Sequence, residues 1–243
     1  MVDIRTWSHL AAKSFRKYLG FKKNNWLLWD LTQGFKYHSI WNYNDAKGWL
    51  STNEVKCLFD LSLSLSSPVP VIVEIGSWMG QSSIVLSKGI HNKINGKVYC
   101  IDPFDSKIES ITDEMRAQVH DTCNRQNTIY DIFLTNIERA GVAGSIQVLK
   151  GFSYEFASTW NLPIDLLFID ANHNFEATYK DFVDWSVFVK PRGYVVFHDV
   201  ELPSKNAKFY EGPGRVIEKL LIGNQDYEKG ILVDYLFYAR KLK

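Results

Sequence analysis

Two short segments hold the residues best suited to acid–base chemistry: Phe168-Ile169-Asp170-Ala171-Asn172-His173 and Val196-Phe197-His198-Asp199. Each is an apolar run that ends in a carboxylate and an imidazole. If the runs are neighbouring strands, Asp170, His173, His198 and Asp199 project into one cleft. Imidazole titrates near neutrality, so His173 or His198 can take a proton from a substrate, with Asp199 beside them. A third segment, Glu74-Ile75-Gly76-Ser77-Trp78-Met79-Gly80, follows another apolar run. Glycine at 76 lets the backbone turn sharply and approach a ligand, and glycine at 80 permits close packing where a helix begins. Ser82 and Ser83 are placed to cap that helix or to bind the ligand. A dinucleotide fingerprint needs G-x-G-x-x-G, but Trp78 and Gln81 stand at its second and third glycines, and no G-x-x-x-x-G-K-[ST] phosphate loop occurs.

These segments need a scaffold that brings strand ends together, and the chain between 51 and 243 alternates accordingly. Ser51 and Glu54 form a capping-box pattern that opens a helix over about 52–64, which Pro68 and Pro70 then break. Strands are predicted at Val71–Glu74, Lys97–Ile101, Ile146–Leu149, Ile164–Ile169 and Gly193–Phe197. Helical stretches between or after them are Gln81–Gly89, Asp121–Ala140, Tyr154–Trp160, Phe175–Phe188 and Arg215–Leu221, with one or two closing strands in Ile231–Ala239. Short β-branched runs separated by helices indicate an α/β fold, a doubly wound and mainly parallel seven-stranded sheet covered on both faces. Asp181 and Asp184 are expected to face solvent, and Trp78 and Trp185 to pack in the core. Residues 1–50 read as a separate extension, rich in aromatics and helical over about Thr6–Leu19. It needs a surface to bury against: an accessory layer on the core, a second subunit, or a lid over a pocket.

At 243 residues, 46% of them apolar, the chain is large enough for an independent core. The net charge of +1 creates no global field favouring nucleic acid or an anionic membrane, and the basic cluster Arg16–Lys23 reads as a solvated helix face. Three cysteines without CxxC spacing, no apolar leader and no span of about 20 apolar residues predict a soluble, reduced, cytoplasmic protein.

The Glu74-x-Gly76-x-x-x-Gly80 loop resembles motif I of the class I S-adenosylmethionine-dependent methyltransferases, which implies a Rossmann-like sheet. By this resemblance Glu74, Gly76, Ser77, Gly80, Ser82 and Asp170 adjoin the cofactor. Asp102 matches the family's ribose-binding acid, Phe104 is placed to pack on adenine, and Ser153 in Lys150-Gly151-Phe152-Ser153 belongs to the loop flanking adenine. The strand-four and strand-five ends are similar to those of small-molecule O-methyltransferases of the catechol and caffeoyl-coenzyme A type and of antibiotic or sugar pathways. There the positions matching Asp170, His198 and Asp199 hold a divalent cation. A histidine at 198 replaces the usual carboxylate, and imidazole favours softer metals. The resemblance therefore leaves open Mn²⁺, Fe²⁺ or Zn²⁺, weak Mg²⁺ binding through Asp170 and Asp199, or no metal with a histidine as base alone. Glu211-Gly212-Pro213-Gly214 reads either as a border of the acceptor pocket or as a helix-starting turn. The implied activity is O-methylation of a small hydroxylated acceptor. Alternatives are a relative with another reaction, such as hydroxylation, or a cofactor-binding module without catalysis. Homo-oligomers through the aromatic segment are expected, and nucleic acid is not.

Overall fold

Seven strands form one sheet in a computed structural model that describes residues 26–105, 117, 128–202 and 211–243. They are β1 (Val71–Ile75), β2 (Lys97–Asp102), β3 (Ile146–Lys150), β4 (Ile164–Ile169), β5 (Val189–Phe197), β6 (Ile231–Val233) and β7 (Leu236–Arg240), in the spatial order β3-β2-β1-β4-β5-β7-β6. β1 to β5 run parallel, and β7 joins antiparallel to β5 and to β6. The chain builds outward from β1 through β2 and β3, then crosses back to lay β4 on the other flank of β1. That reversal opens a crevice at the carboxyl ends of β1 and β4, where doubly wound sheets bind ligands.

Both faces of the central strands are covered, which explains their unbroken apolar runs. Val73, Ile75, Leu167, Ile169, Val195 and Phe197 share one core with Phe182 and Trp185 of α6 (Phe175–Ser186) and with Val216 and Ile217 of α7 (Glu211–Leu220). On the other face α3 (Gln81–Gly89) contacts β2, and α2 (Thr52–Leu63) packs against α3. The remaining helices are α1 (Trp26–Gln33), α4 (Ile129–Arg139) and α5 (Ser153–Ala157). The Ser51–Glu54 capping box is present as expected.

Three boundaries differ from expectation. β5 begins at Val189 rather than Gly193, and its register with β4 breaks between Ile164 and Leu166, next to Arg192 with φ 70. Lys190-Pro191-Arg192 has a turn's composition, yet the chain continues as strand on either side of that irregularity. α5 is shorter than the predicted stretch to Trp160. α7 starts at Glu211, so Gly212-Pro213-Gly214 is its first turn, where proline's missing N–H costs nothing. The helix expected at Thr6–Leu19, the basic cluster Arg16–Lys23 and residues 121–127 of the next helical stretch lie outside the described residues.

The chain divides into two compact units, Met1–Tyr43 and Asn44–Lys243. In the first, Trp29 stacks obliquely on Tyr43 at 5.7 Å and donates Nε1–H to the Tyr37 carbonyl at 2.9 Å. No helix among the described residues is long and apolar enough to cross a membrane.

Candidate functional site

The loop after β1 is fastened to the end of β2. Gly76 N–H donates to the Ile101 carbonyl at 2.9 Å, while Ser77 and Trp78 N–H both donate to Asp102 Oδ2 at 3.0 and 2.9 Å. Phe104 N–H donates to Asp102 Oδ1 at 2.6 Å. A carboxylate offers about four acceptor positions, so three amides leave one for a ligand. Burial pushes the Asp102 carboxyl up, and these amides pull it back. Gly76 and Asp102 are therefore neighbours at the mouth of the crevice, as the motif requires. Gly76 has φ 91, and a Cβ there would collide with the Asp170 carbonyl oxygen. Its close approach is thus to the β4 end as well as to the crevice. Gly80, with φ 92, caps α3 in the left-handed region, and a Cβ would meet the Phe133 ring at 3.2 Å. Trp78, Phe104 and Asp199 also hold positive φ, of 47, 52 and 51, at the ends of β1, β2 and β5. Such conformations cost energy in non-glycine residues and cluster at ligand sites.

A cavity of about 310 Å³ opens beside this loop. Gly76, Ser77, Trp78 and Ser82 line it together with Asp170, His173, His198 and Asp199. The four acid–base residues singled out by spacing therefore share one wall with the glycine loop. His198 is 4% exposed and lies among carboxylates: Nδ1 is 3.1 Å from Asp170 Oδ1 and 3.5 Å from Asp199 Oδ2, and Nε2 is 3.3 Å from Glu54 Oε2. Burial opposes charge on the ring, but Asp170, Asp199 and Glu54 outweigh it and hold the His198 pKa well above the ordinary value. His173 Nε2 meets Asp199 Oδ2 at 3.0 Å. Burial works against ionisation of Asp199 too, yet its bonds to His173 and His198 keep the carboxyl well below the usual range.

The expected metal ligands Asp170, His198 and Asp199 lie together. Both His198 nitrogens face carboxylates, Nδ1 toward Asp170 and Asp199 and Nε2 toward Glu54. Asp170, His173 and Asp199 also each present one ligand atom, all within 4.8 Å of one another. One imidazole and two carboxylates suit a divalent cation as donors.

Three residues expected beside the cofactor, Glu74, Phe104 and Ser153, have partners within the protein. Glu74 alternates onto the α3 side of β1 and is fully buried, its Oε2 accepting from the Ser77 hydroxyl at 2.7 Å and from the Ser83 hydroxyl. Burial pushes its pKa up, and its role is to brace the loop from beneath. Phe104 is 5% exposed because Tyr130 and Phe133 pack on it at 5.2 and 5.0 Å. Ser153 gives its hydroxyl to Asp181. Asp181 is thus buried rather than solvent-facing: with Thr178, Phe182 and Trp185 it forms the inward stripe of α6. Asp184 pairs with Lys180 at 2.6 Å. Asp102, Phe104 and Ser153 are not among the residues lining the cavity. Trp185 is core as expected, while Trp78 lines the cavity.

Sequence reasoning missed three contributors. Glu54 reads as a helix cap, yet its carboxylate also accepts Tyr235 N–H at 2.8 Å and faces His198. Tyr235 and Trp49 line the cavity from segments with no motif. The i, i+3, i+4, i+7 spacing of residues 178, 181, 182 and 185 is a signal able to reveal Asp181; no comparable signal marks the others.

A family model described as a methyltransferase domain matches residues 73–200. Among solved structures, the chain is similar to the O-methyltransferase TomG of Streptomyces achromogenes, involved in tomaymycin synthesis and solved with S-adenosylmethionine. The identity is 19% over 100% of both chains, with a TM-score of 0.61. An O-methyltransferase from Bacillus cereus in complex with S-adenosylhomocysteine is 18% identical over 99% of this chain and 100% of that one, with a TM-score of 0.59. A putative caffeoyl-CoA O-methyltransferase from Staphylococcus aureus is 15% identical over 88% and 97%, with a TM-score of 0.56. At these identities the likeness is one of fold.

Proposed function

The chain belongs to this methyltransferase-domain family, and from that premise we propose that it methylates a hydroxyl oxygen of a small acceptor, using S-adenosylmethionine. One observation carries the reading: Asp170, His173 and Asp199 line the same cavity as the Gly76–Trp78 loop. The donor fits here because the loop offers a backbone turn that a side chain would block, and because Asp102 keeps an acceptor position beside it. Gly76, Ser77, Ser82 and Asp102 would hold the donor. It supplies a methyl group activated by a sulfonium centre.

The chain's own task is to present the acceptor oxygen and remove its proton. His173 is the proton acceptor, and Asp199 at 3.0 Å orients its ring and balances the charge it gains. His198 is fixed among Asp170, Asp199 and Glu54, and spaces the two aspartates. A second reading has an observation of its own: Asp170, His173 and Asp199 are close enough to hold a cation together. Their mixed nitrogen and oxygen donors favour Mn²⁺, Fe²⁺ or Zn²⁺ over Mg²⁺. Such an ion lowers the pKa of a bound hydroxyl, and His173 is then a ligand instead of a base.

Calorimetry with S-adenosylhomocysteine, followed by mass detection of methyl transfer to a panel of hydroxylated acceptors, tests the proposal. Transfer that is lost in Asp199→Ala while S-adenosylhomocysteine binding persists is the expected result. Binding without transfer to any acceptor would instead identify a non-catalytic module. Activity that survives chelation and is unchanged by added Mn²⁺ removes the metal reading.

A further inference from the structure

Another stretch of the cavity wall is built without secondary structure. The 3₁₀ turn Tyr43–Asp45 ends just before it, and residues 46–50 belong to no helix or strand. Backbone groups in such a segment must find partners elsewhere when buried, and one side chain supplies them. Gln81 Oε1 accepts Leu50 N–H at 3.1 Å, and its Nε2 donates to the Ala46 carbonyl and to Asn44 Oδ1, both at 3.3 Å. Gly48 lies so tightly against the same amide that a Cβ would fall 2.5 Å from Oε1. Gln81 is 4% exposed and is the first residue of α3, directly after left-handed Gly80. The strap 44–50 is thus tied to the helix that the glycine loop opens, by three bonds from one amide.

The strap carries Trp49 into the cavity wall. This indole stays 40% exposed while lining the cavity, and its ring stands 5.9 Å from that of Trp78 at 46°. Trp78 in turn holds φ 47, a left-handed conformation uncommon for a bulky residue, enforced by its N–H bond to Asp102. An exposed indole, backed by a second indole on a constrained loop, suits contact with the face of another ring.

We propose that Trp49 is the stacking platform for a ring of the acceptor, and that Gln81 is the residue positioning it. The proposal rests on the methyl-transfer reading for the acceptor's presence in this cavity. The chemistry recognised is a hydroxyl-bearing ring with an apolar face, whether the π face of a phenol or the C–H face of a pyranose. An acyclic polyol has neither.

The test uses protein saturated with S-adenosylhomocysteine, whose binding is measured first so that failure of the donor site is seen separately. Catechol, methyl α-glucopyranoside and glycerol are then titrated as probes and followed by saturation-transfer NMR. One of the ring probes is expected to bind at least about tenfold tighter than glycerol, and which one tells the aromatic source from the pyranose source. Trp49→Ala loses that advantage and Trp49→Phe recovers most of it. Gln81→Ala weakens the ring probe by a similar factor, and Gln81→Glu, which keeps the acceptor for the Leu50 amide, recovers part. Ring affinity that survives Trp49→Ala within about twofold overturns the platform, as does wild-type protein that binds rings and glycerol alike. Ring affinity indifferent to Gln81→Ala removes the positioning role. Trp49 is exposed enough to be truncated without threatening the fold, so the proposal stays falsifiable if a Gln81 variant does not fold.

Discussion

Replacing Asp181 with asparagine should stabilise the protein at neutral and alkaline pH and do nothing in mild acid. Asp181 is 7% exposed on the inward stripe of α6. Burial pushes its carboxyl up from 3.8 to about 6, against the Ser153 hydroxyl and Lys180, while Asp184 adds to the push. The gap between those values corresponds to about 3 kcal/mol. Because the folded pKa lies above the unfolded one, the native state binds the proton more tightly. The stability this contributes is complete below about pH 4 and is lost as the pH climbs through about 6. Asparagine keeps an oxygen for Ser153 and carries no charge at any pH, so it mimics the protonated form. Urea unfolding of wild type and Asp181→Asn near pH 4 and near pH 8 measures the difference. It should be close to zero in acid and about 1–3 kcal/mol in favour of the variant at the higher pH. An equal gap at both pH values, or a less stable variant near pH 8, would refute the argument.

Three further changes act on the crevice. Gly76→Ala forces a left-handed alanine against the Asp170 carbonyl and should cost about 2–5 kcal/mol in unfolding experiments, with S-adenosylhomocysteine affinity falling in parallel; a variant within about 1 kcal/mol of wild type contradicts this. Glu54→Ala strips Ser51 N–H, Tyr235 N–H and the His198 ring of their shared acceptor, and a loss of about 3–5 kcal/mol is expected from the same measurement. Gly212→Ala drives a methyl group into the His173 carbonyl. Displacing that loop should reduce methyl transfer by about tenfold or more while S-adenosylhomocysteine still binds, and unchanged turnover would show that His173 tolerates the shift.

The sheet is legible in the sequence because its strands are buried on both faces. Apolar runs such as Ile164–Ile169 need no partner information to be recognised, and the Ser51–Glu54 cap announces α2 locally. The convergence of Asp170, His173, His198 and Asp199 follows from placing β4 beside β5. The division of labour among these groups is not legible. His198 and His173 look alike in sequence, and only the arrival of Glu54 from α2 shows that His198 is enclosed by carboxylates on both sides of its ring. The motif's resemblance assigns Glu74 to the ligand, whereas strand alternation sends its side chain under the loop. Trp49 and Gln81 stay hidden because a strap held by a single amide has no periodicity.

The neighbours of β5 arrive at very different times. β4 is complete before β5 emerges from a ribosome, but β7, which covers the other edge, begins only at Leu236. The turn that delivers β7 also carries Tyr235, whose backbone N–H bonds Glu54 and whose carbonyl takes the Val200 N–H at 2.9 Å. While the intervening chain is being made, β5 presents a bare row of amides and carbonyls next to an unfinished crevice. Unpaired strand edges of this kind are what makes incompletely folded chains prone to pairing with one another. Tyr235 both lines the crevice and opens the turn into β7, so one wall of the crevice and the cover on the β5 edge depend on the same late segment of chain.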